Sequence, residues 1–246
     1  MRRILENIIP IFLLIQLERI ARNIRNLKSF LIRDDRYYES THRKEFFWKA
    51  FKALSYNGIT GDYAEFGCHK GSTFSMAYHA SRRINYRCNM WAFDSFLGLP
   101  PKAVPEDEHP AWIEGSMSTT VDRFKLICRI NRIRESDYKM VVGYYEDTIG
   151  IATAADPNLP NNIALAYLDC DLYSSTKTVL RFLSERLKHG MIIAFDDYYC
   201  WSNIAIAGNR KACLEFLSED NRYNFLPFCQ FGWHGMAFVV EDRKLY

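Results

Sequence analysis

The sequence predicts a doubly wound, Rossmann-like α/β fold, with a mostly parallel sheet, an antiparallel closing strand and an N-terminal helical extension. Three observations carry this expectation. From about residue 60 onward, short apolar runs alternate with segments of helical periodicity, the pattern of a parallel sheet built by right-handed crossovers. The first run leads into a glycine-bearing turn, Glu65-Phe-Gly67-Cys-His-Lys-Gly71-Ser72. Two later runs end in paired carboxylates, Asp169 and Asp171 after 163–168, and Asp196 and Asp197 after 191–195. Ligands of open α/β sheets bind at the carboxyl ends of strands, so the carboxylates stand where chemistry is expected.

In chain order, residues 1 to about 33 read as a helical extension rich in Arg2, Arg3, Arg19, Arg22, Arg25, Lys28 and Arg33. A solvated helix face is favoured over a membrane or polyanion contact. The run 8–15 is well short of the roughly 20 apolar residues of a spanning helix. Glu6 precedes it and no small-residue cleavage site follows, which argues against a signal peptide. It reads as an amphipathic helix for packing or dimerisation, so a homo-oligomer is expected and peripheral membrane contact is the lesser alternative.

Segment 34–41 is polar and reads as a break able to order over a ligand. Residues 43–54 place Phe47, Ala50, Phe51 and Leu54 at helical spacing, ended by Asn57-Gly58. Strands are expected at 63–66, 90–93, 139–142, 163–168 and 191–195, then a closing pair at 223–228 and 236–240 around the turn-like Gly232-Trp-His-Gly235. The proline-rich, acidic stretch 99–120 follows the second strand at the ligand edge and reads as a lid. The division expected is a helical extension over 1–42 and a catalytic domain over 43–246.

With 246 residues, 48% of them apolar, the chain is long enough for one sizeable α/β domain. Lys plus Arg number 32 against 29 Asp plus Glu, a net charge of +3 that implies no nucleic-acid partner. Seven cysteines without a C-x-x-C pair read as reduced thiols, fitting a cytoplasmic location.

Glycines in the first turn let the backbone bend sharply and approach a ligand, while free N–H groups at the following helix start attract an anion. The spacing is E-x-G-x-x-x-G rather than the dinucleotide G-x-G-x-x-G, which disfavours pyrophosphate. Asp94 ends the second strand, where nucleotide-binding α/β folds grip a ribose diol, although it could also serve as a helix N-cap. The turn and Asp94 together point to an adenosine cofactor with an amino-acid tail, best met by S-adenosylmethionine. Its expected contacts are Glu65, Gly67, Gly71, Ser72, Asp94, Ser95, Asp147 and Asp169. Asp147 has a competing explanation, since acids at a helix start are favoured by the macrodipole alone. Clustered carboxylates on adjacent strands repel unless a cation or proton lies among them, which suggests a hard divalent ion such as Mg²⁺.

Five segments in order, 61–73, 93–100, 144–148, 168–176 and 195–198, together resemble the macrocin O-methyltransferase family over roughly residues 43–240. The resemblance implies a class I methyltransferase fold and an S-adenosylmethionine- and Mg²⁺-dependent transfer of methyl to a sugar hydroxyl. It maps the metal ligands onto Asp171, Asp196 and Asp197. Asp171 is also the expected proton acceptor, with His234 as the alternative base. Tyr198, Trp201 and His234 are candidates for substrate contact, and His69 is read as a loop residue rather than a cofactor contact. Two rivals remain at this stage: a glycosyltransferase using D-x-D to bind a nucleotide sugar through a metal, and a metal-stabilised scaffold without catalysis.

Overall fold

The computed structural model describes residues 10–150, 156–201, 203 and 205–246. Arg2, Arg3, Glu6 and the start of the 8–15 run lie outside these residues. Helix α1 spans Ile11–Ile32 and helix α2 spans Asp35–Tyr56. The expected polar break at 34–41 is instead the start of α2. Asp34 caps it by accepting the N–H of Tyr37 at 3.1 Å, and Asp35 adds a negative charge to the first turn. The apolar positions then anchor the helix, with Phe46, Phe47, Ala50, Phe51 and Leu54 all buried. Arg43 consequently sits in a rigid helix interior.

The sheet strands are β1 (Asp62–Phe66), β2 (Met90–Asp94), β3 (Tyr138–Val142), β4 (Ile163–Leu168), β5 (Ile192–Phe195), β6 (Tyr223–Phe231) and β7 (Gly235–Asp242). Their order is β3-β2-β1-β4-β5-β7-β6. The first five are parallel, and β7 runs antiparallel to both β5 and β6. Helix α3 (Ser72–Arg83) follows β1, α4 (Val121–Ile130) precedes β3, and the single turn α5 (Tyr145–Thr148) follows β3. Helix α6 (Tyr173–Ser184) follows β4, and α7 (Gly208–Glu219) connects β5 to the closing hairpin.

Side chains alternate between the faces of the sheet, as the strand period of two requires. Tyr63, Leu165, Tyr167, Ile192 and Ala194 join the core beneath α2 and α3. Phe66, Ala166, Leu168, Ile193 and Phe195 join the opposite core with α6 and α7. Two apolar layers therefore hold the central strands, and the strand ends are the place for polar groups.

The expected lid, 99–120, is pinned to the body. Asp107 is fully buried and accepts from the Ala103 and Ser174 N–H groups, both at 2.9 Å, and from Ser174 Oγ at 3.0 Å. That carboxylate ties the loop to the start of α6. Trp112 packs with Leu172 and Cys200 beneath it.

Candidate active site at the carboxyl ends of the strands

Strand register explains how distant residues meet. Phe93, Phe66, Leu168 and Phe195 form one row across β2, β1, β4 and β5. The next residues along the chain are Asp94, Gly67, Asp169 and Asp196. The sheet winds outward in both directions from β1 and β4, so this row crosses the switch point where such folds open a crevice. Asp169 donates its N–H to Phe66 and Asp196 donates its N–H to Leu168, each at 2.8 Å. Only glycine fits at 67, because its φ is +91° and a Cβ would lie 1.9 Å from the Asp169 carbonyl oxygen.

A cavity opens at this crevice. It is lined by Gly67, Asp94, Gly98, Tyr144, Asp169 and Asp171, among others, and encloses ≈ 670 Å³ of empty space counted to its open mouth. Asp94 is fixed rigidly at its edge, since one carboxylate oxygen accepts the Cys68 and His69 N–H groups at 2.7 and 2.9 Å and the other accepts Phe96 N–H at 2.7 Å. A carboxylate has about four acceptor positions, so Asp94 keeps capacity for one more donor. His69 also lines the cavity, its Nδ1 hydrogen-bonding with the Met117 carbonyl and holding the 99–120 loop over the glycine turn.

Beside the cavity stands the acid group. Carboxylate oxygens of Asp169, Asp196 and Asp197 converge within 4.8 Å of one another. Asp171, expected as a metal ligand, is not in this convergent set, and Asp169 takes its place. Asp169 continues the strand row beside Asp196, whereas residue 171 has turned into a left-handed conformation (φ 56°) and lies against Asp197 and Trp112. Burial pushes the Asp169, Asp171 and Asp197 carboxyls above the usual range, and their mutual repulsion adds to it.

Asp196 is different. Burial opposes its charge, but the Arg43 guanidinium holds its pKa below the ordinary value. Arg43 grips it bidentately, with Nε to Oδ1 at 3.1 Å and Nη2 to Oδ2 at 2.9 Å. Tyr167 also donates its hydroxyl to Asp196. One Arg against four carboxylates leaves the cluster formally rich in negative charge. Asp197 Oδ2 is buried with no hydrogen-bond partner. An orphaned buried acceptor among converging acids suits a hard divalent cation, which binds oxygen ligands and would relieve the repulsion.

His234 stands behind the acids. Arg43 Nη2 lies 3.3 Å from its Nε2, and an arginine can only donate, so Nε2 carries the lone pair and Nδ1–H donates to the Asp196 carbonyl. A second convergent set, Asp197, Cys200 and His234, is thereby poorly suited to a metal. His234 is committed on both nitrogens, and the Cys200 thiol, its pKa raised by burial, donates to Asp197 Oδ1 at 3.3 Å.

The other expected site residues divide. Ser95 borders the cavity, as does Glu146 in place of its neighbour Asp147. Gly71 and Ser72 shape the start of α3 without lining the cavity, and Glu65 is completely buried, accepting from Tyr63 and from Thr73 Oγ1 at 2.6 Å. Tyr198 packs on Phe195 and Phe238, and Trp201 is half-exposed near the Arg210 guanidinium; neither lines the cavity. The sequence reading missed Arg43, Tyr167, Asp107 and Trp112. Arg43 is separated from Asp196 by 153 positions, and no local spacing signals such a pair.

Comparison with known proteins assigns this arrangement. The Macrocin-O-methyltransferase (TylF) family matches residues 40–218. The chain belongs to that family. A curated relative from Streptomyces olivaceus, 8-demethyl-8-(2,3-dimethoxy-alpha-L-rhamnosyl)-tetracenomycin-C 4'-O-methyltransferase, is 28% identical over 152 residues, covering 58% of this chain. The match spans about half, 54%, of that relative's length. Among solved structures, the O-methyltransferase NovP aligns with a TM-score of 0.67 at 19% identity, covering 82% of this chain and 80% of NovP. CalS11, a calicheamicin methyltransferase, aligns at 0.63 and 21%, covering 80% and 77%. At these identities the structural likenesses establish the fold. Family membership places the D-x-D acids in a methyltransferase frame, leaving the glycosyltransferase alternative without support.

Proposed function

We propose that this chain transfers a methyl group from S-adenosylmethionine to a hydroxyl of a sugar with the help of a divalent cation, for which Mg²⁺ is the natural candidate. The observation that carries the reading is that Asp169 belongs both to the cavity and to the converging acid group, so cofactor space and cation ligands share a wall. When bound, the sulfonium cofactor supplies the methyl group and the cation supplies Lewis-acid polarisation of a hydroxyl oxygen.

The chain's own residues do the rest. Gly67 and the rigidly held Asp94 would seat the cofactor, in keeping with their place at the switch point. Asp169, Asp196 and Asp197 would hold the cation. Arg43 keeps Asp196 ionised and oriented. Asp171 lines the cavity beside the convergent set, a position that suits acceptance of the hydroxyl proton. His234 fits that role less well, because its lone pair already accepts from Arg43.

A rhamnosyl group is the site of methylation named for the curated relative, which supports a sugar acceptor here. Beside Trp112, which lies against Asp171, a second groove of ≈ 960 Å³ of empty space is lined by Pro105, Pro110, Ile113 and Ile206 together with Lys102, Glu106, Glu108 and Lys211. Its apolar patches, rimmed by charged side chains, favour a sugar carried on a larger body.

The test uses Asp197→Asn, since Asp196→Ala would strand the Arg43 cation. Calorimetry should find S-adenosylhomocysteine affinity within about twofold of wild type, while methyl transfer to a rhamnosyl glycoside falls by at least ~10²-fold. Parallel loss of both would refute the division of roles.

A further inference from the structure

Glu39 falls in the polar stretch 34–41 that the Asp34 cap draws into α2. Because that stretch is helical, Glu39 stands one turn before Arg43 on the same face, with the acid N-terminal to the base as such pairs prefer. Its Oε2 accepts from Arg43 Nη1 at 2.5 Å. A pair of this spacing on an open helix surface does little, but this one is enclosed, with the Arg43 and Glu39 side chains 15% and 25% exposed. The turn between β6 and β7 is shaped to receive it. Gly232 has φ +58°, and a Cβ there would lie 2.7 Å from Glu39 Oε2, so the missing side chain is the seat of the carboxylate.

The donors of Arg43 divide between two acids. Nε and Nη2 face Asp196, Nη2 also lies 3.3 Å from His234 Nε2, and Nη1 is left for Glu39. Asp196, like any carboxylate, has about four acceptor positions. Arg43 Nε and the Tyr167 hydroxyl take those of Oδ1 and Arg43 Nη2 takes one of Oδ2, so a single position is left, on Oδ2. Asp196 can give it to a cation only while the guanidinium stays where it is. An unheld Nη1 would be free to turn into the cluster, where Asp197 Oδ2 has no partner, and a guanidinium there would stand in the cation's place. Glu39 also offsets charge: Arg43 repels an incoming dication, and a second carboxylate on the guanidinium reduces that repulsion.

We infer that Glu39 is a positioning residue of the cation site: seated by Gly232, it holds the outer arm of Arg43 so that Asp196 keeps a free oxygen position for the metal. This rests on the cation of the proposed reaction, and it concerns a residue just before the matched stretch 40–218. Glu39 does not line the cavity at the glycine turn, so its action runs through Arg43 rather than through the cofactor.

Electron paramagnetic resonance of Mn²⁺ titrated into the full chain, stripped of metal with EDTA, tests this without turnover. Glu39→Gln should weaken Mn²⁺ binding about tenfold, the scale of one charge removed beside a partly screened site, with S-adenosylhomocysteine affinity unchanged. Gly232→Ala keeps every charge and displaces the end of the Glu39 side chain from its seat. It should weaken Mn²⁺ by at least about threefold, and joined to Glu39→Gln it should cost nothing more than Glu39→Gln alone, because two changes acting through one contact do not add. Additive losses overturn the inference and leave the cation reading standing, as does a Glu39→Gln variant that binds Mn²⁺ like wild type while its acceptor KM rises. If wild type binds Mn²⁺ no better than Asp197→Asn does, the cation reading falls and this inference with it. Should Gly232→Ala fail to fold, Arg43→Lys takes its place in the cycle, since a lysine has no fork to span both acids: coupling with Glu39→Gln supports the inference, and additivity overturns it.

Discussion

Replacing Arg43 by methionine keeps most of the side-chain volume and removes the cation. In the wild-type chain the Arg43 and Asp196 side chains are 15% and 7% exposed and are joined by two hydrogen bonds. Taking one partner from a buried ion pair leaves an uncompensated charge, at a cost of about 3–5 kcal/mol. For a chain of this size each kcal/mol moves the melting temperature by about 2–4 °C, so the variant should melt about 6–20 °C lower in EDTA. The deficit should shrink in mild acid, because Asp196 loses the interaction that holds its pKa down and can neutralise by binding a proton. Adding Mg²⁺ should raise the melting temperature of the variant more than that of wild type, since one fewer positive charge opposes the acids. Differential scanning fluorimetry with and without the metal measures all of this. A variant melting within about 2 °C of wild type in EDTA would show that the pair is not desolvated and that something else balances the cluster.

Three further expectations follow from other parts of the structure. Burial pushes the Glu65 carboxyl up from 4.5 to about 8, so between those values the unfolded chain releases a proton that the folded chain keeps. Wild-type stability should therefore fall as pH rises through this window, while Glu65→Gln, an analogue of the neutral acid, should gain on wild type by on the order of 2–4 kcal/mol from pH 5 to pH 8 in urea titrations. An equal pH slope in both proteins would contradict a neutral Glu65. Gly67→Ala combines a left-handed backbone with a Cβ overlapping the Asp169 carbonyl, so a loss above about 4 kcal/mol and no measurable S-adenosylhomocysteine binding are expected. A folded variant with normal affinity would mean that β1 and β4 separate easily at their ends. Asp107→Ala removes the acceptor for three backbone N–H groups and a hydroxyl, and hydrogen exchange over 100–117 should quicken while the central strands stay protected. Unchanged exchange there would show that Trp112 packing alone holds the loop.

The strands were legible because their signal is local. Ile163–Leu168 is the same segment by apolar pattern and by structure, and the Glu65–Gly71 turn and the Asp169 and Asp196 pairs lie at strand ends as their spacing predicts. Where the local signal misled, a neighbour outweighed it. Polar residues 35–41 look like a break, yet the Asp34 cap and the buried aromatic face of α2 carry the helix through them. Tyr198 looks like a sugar platform, but the opposite core claims its ring.

By itself, the sequence determined the doubly wound sheet, the glycine turn and the presence of four acids at one edge, because hydrophobic period and turn chemistry act over a few residues. Only the tertiary structure decided that Asp169 rather than Asp171 joins Asp196 and Asp197, that Arg43 balances them, and that Asp107 anchors the 99–120 loop. Those outcomes depend on the register of β4 beside β5 and on contacts between residues more than 60 positions apart. Such contacts are set by how whole layers pack, which no window along the chain contains.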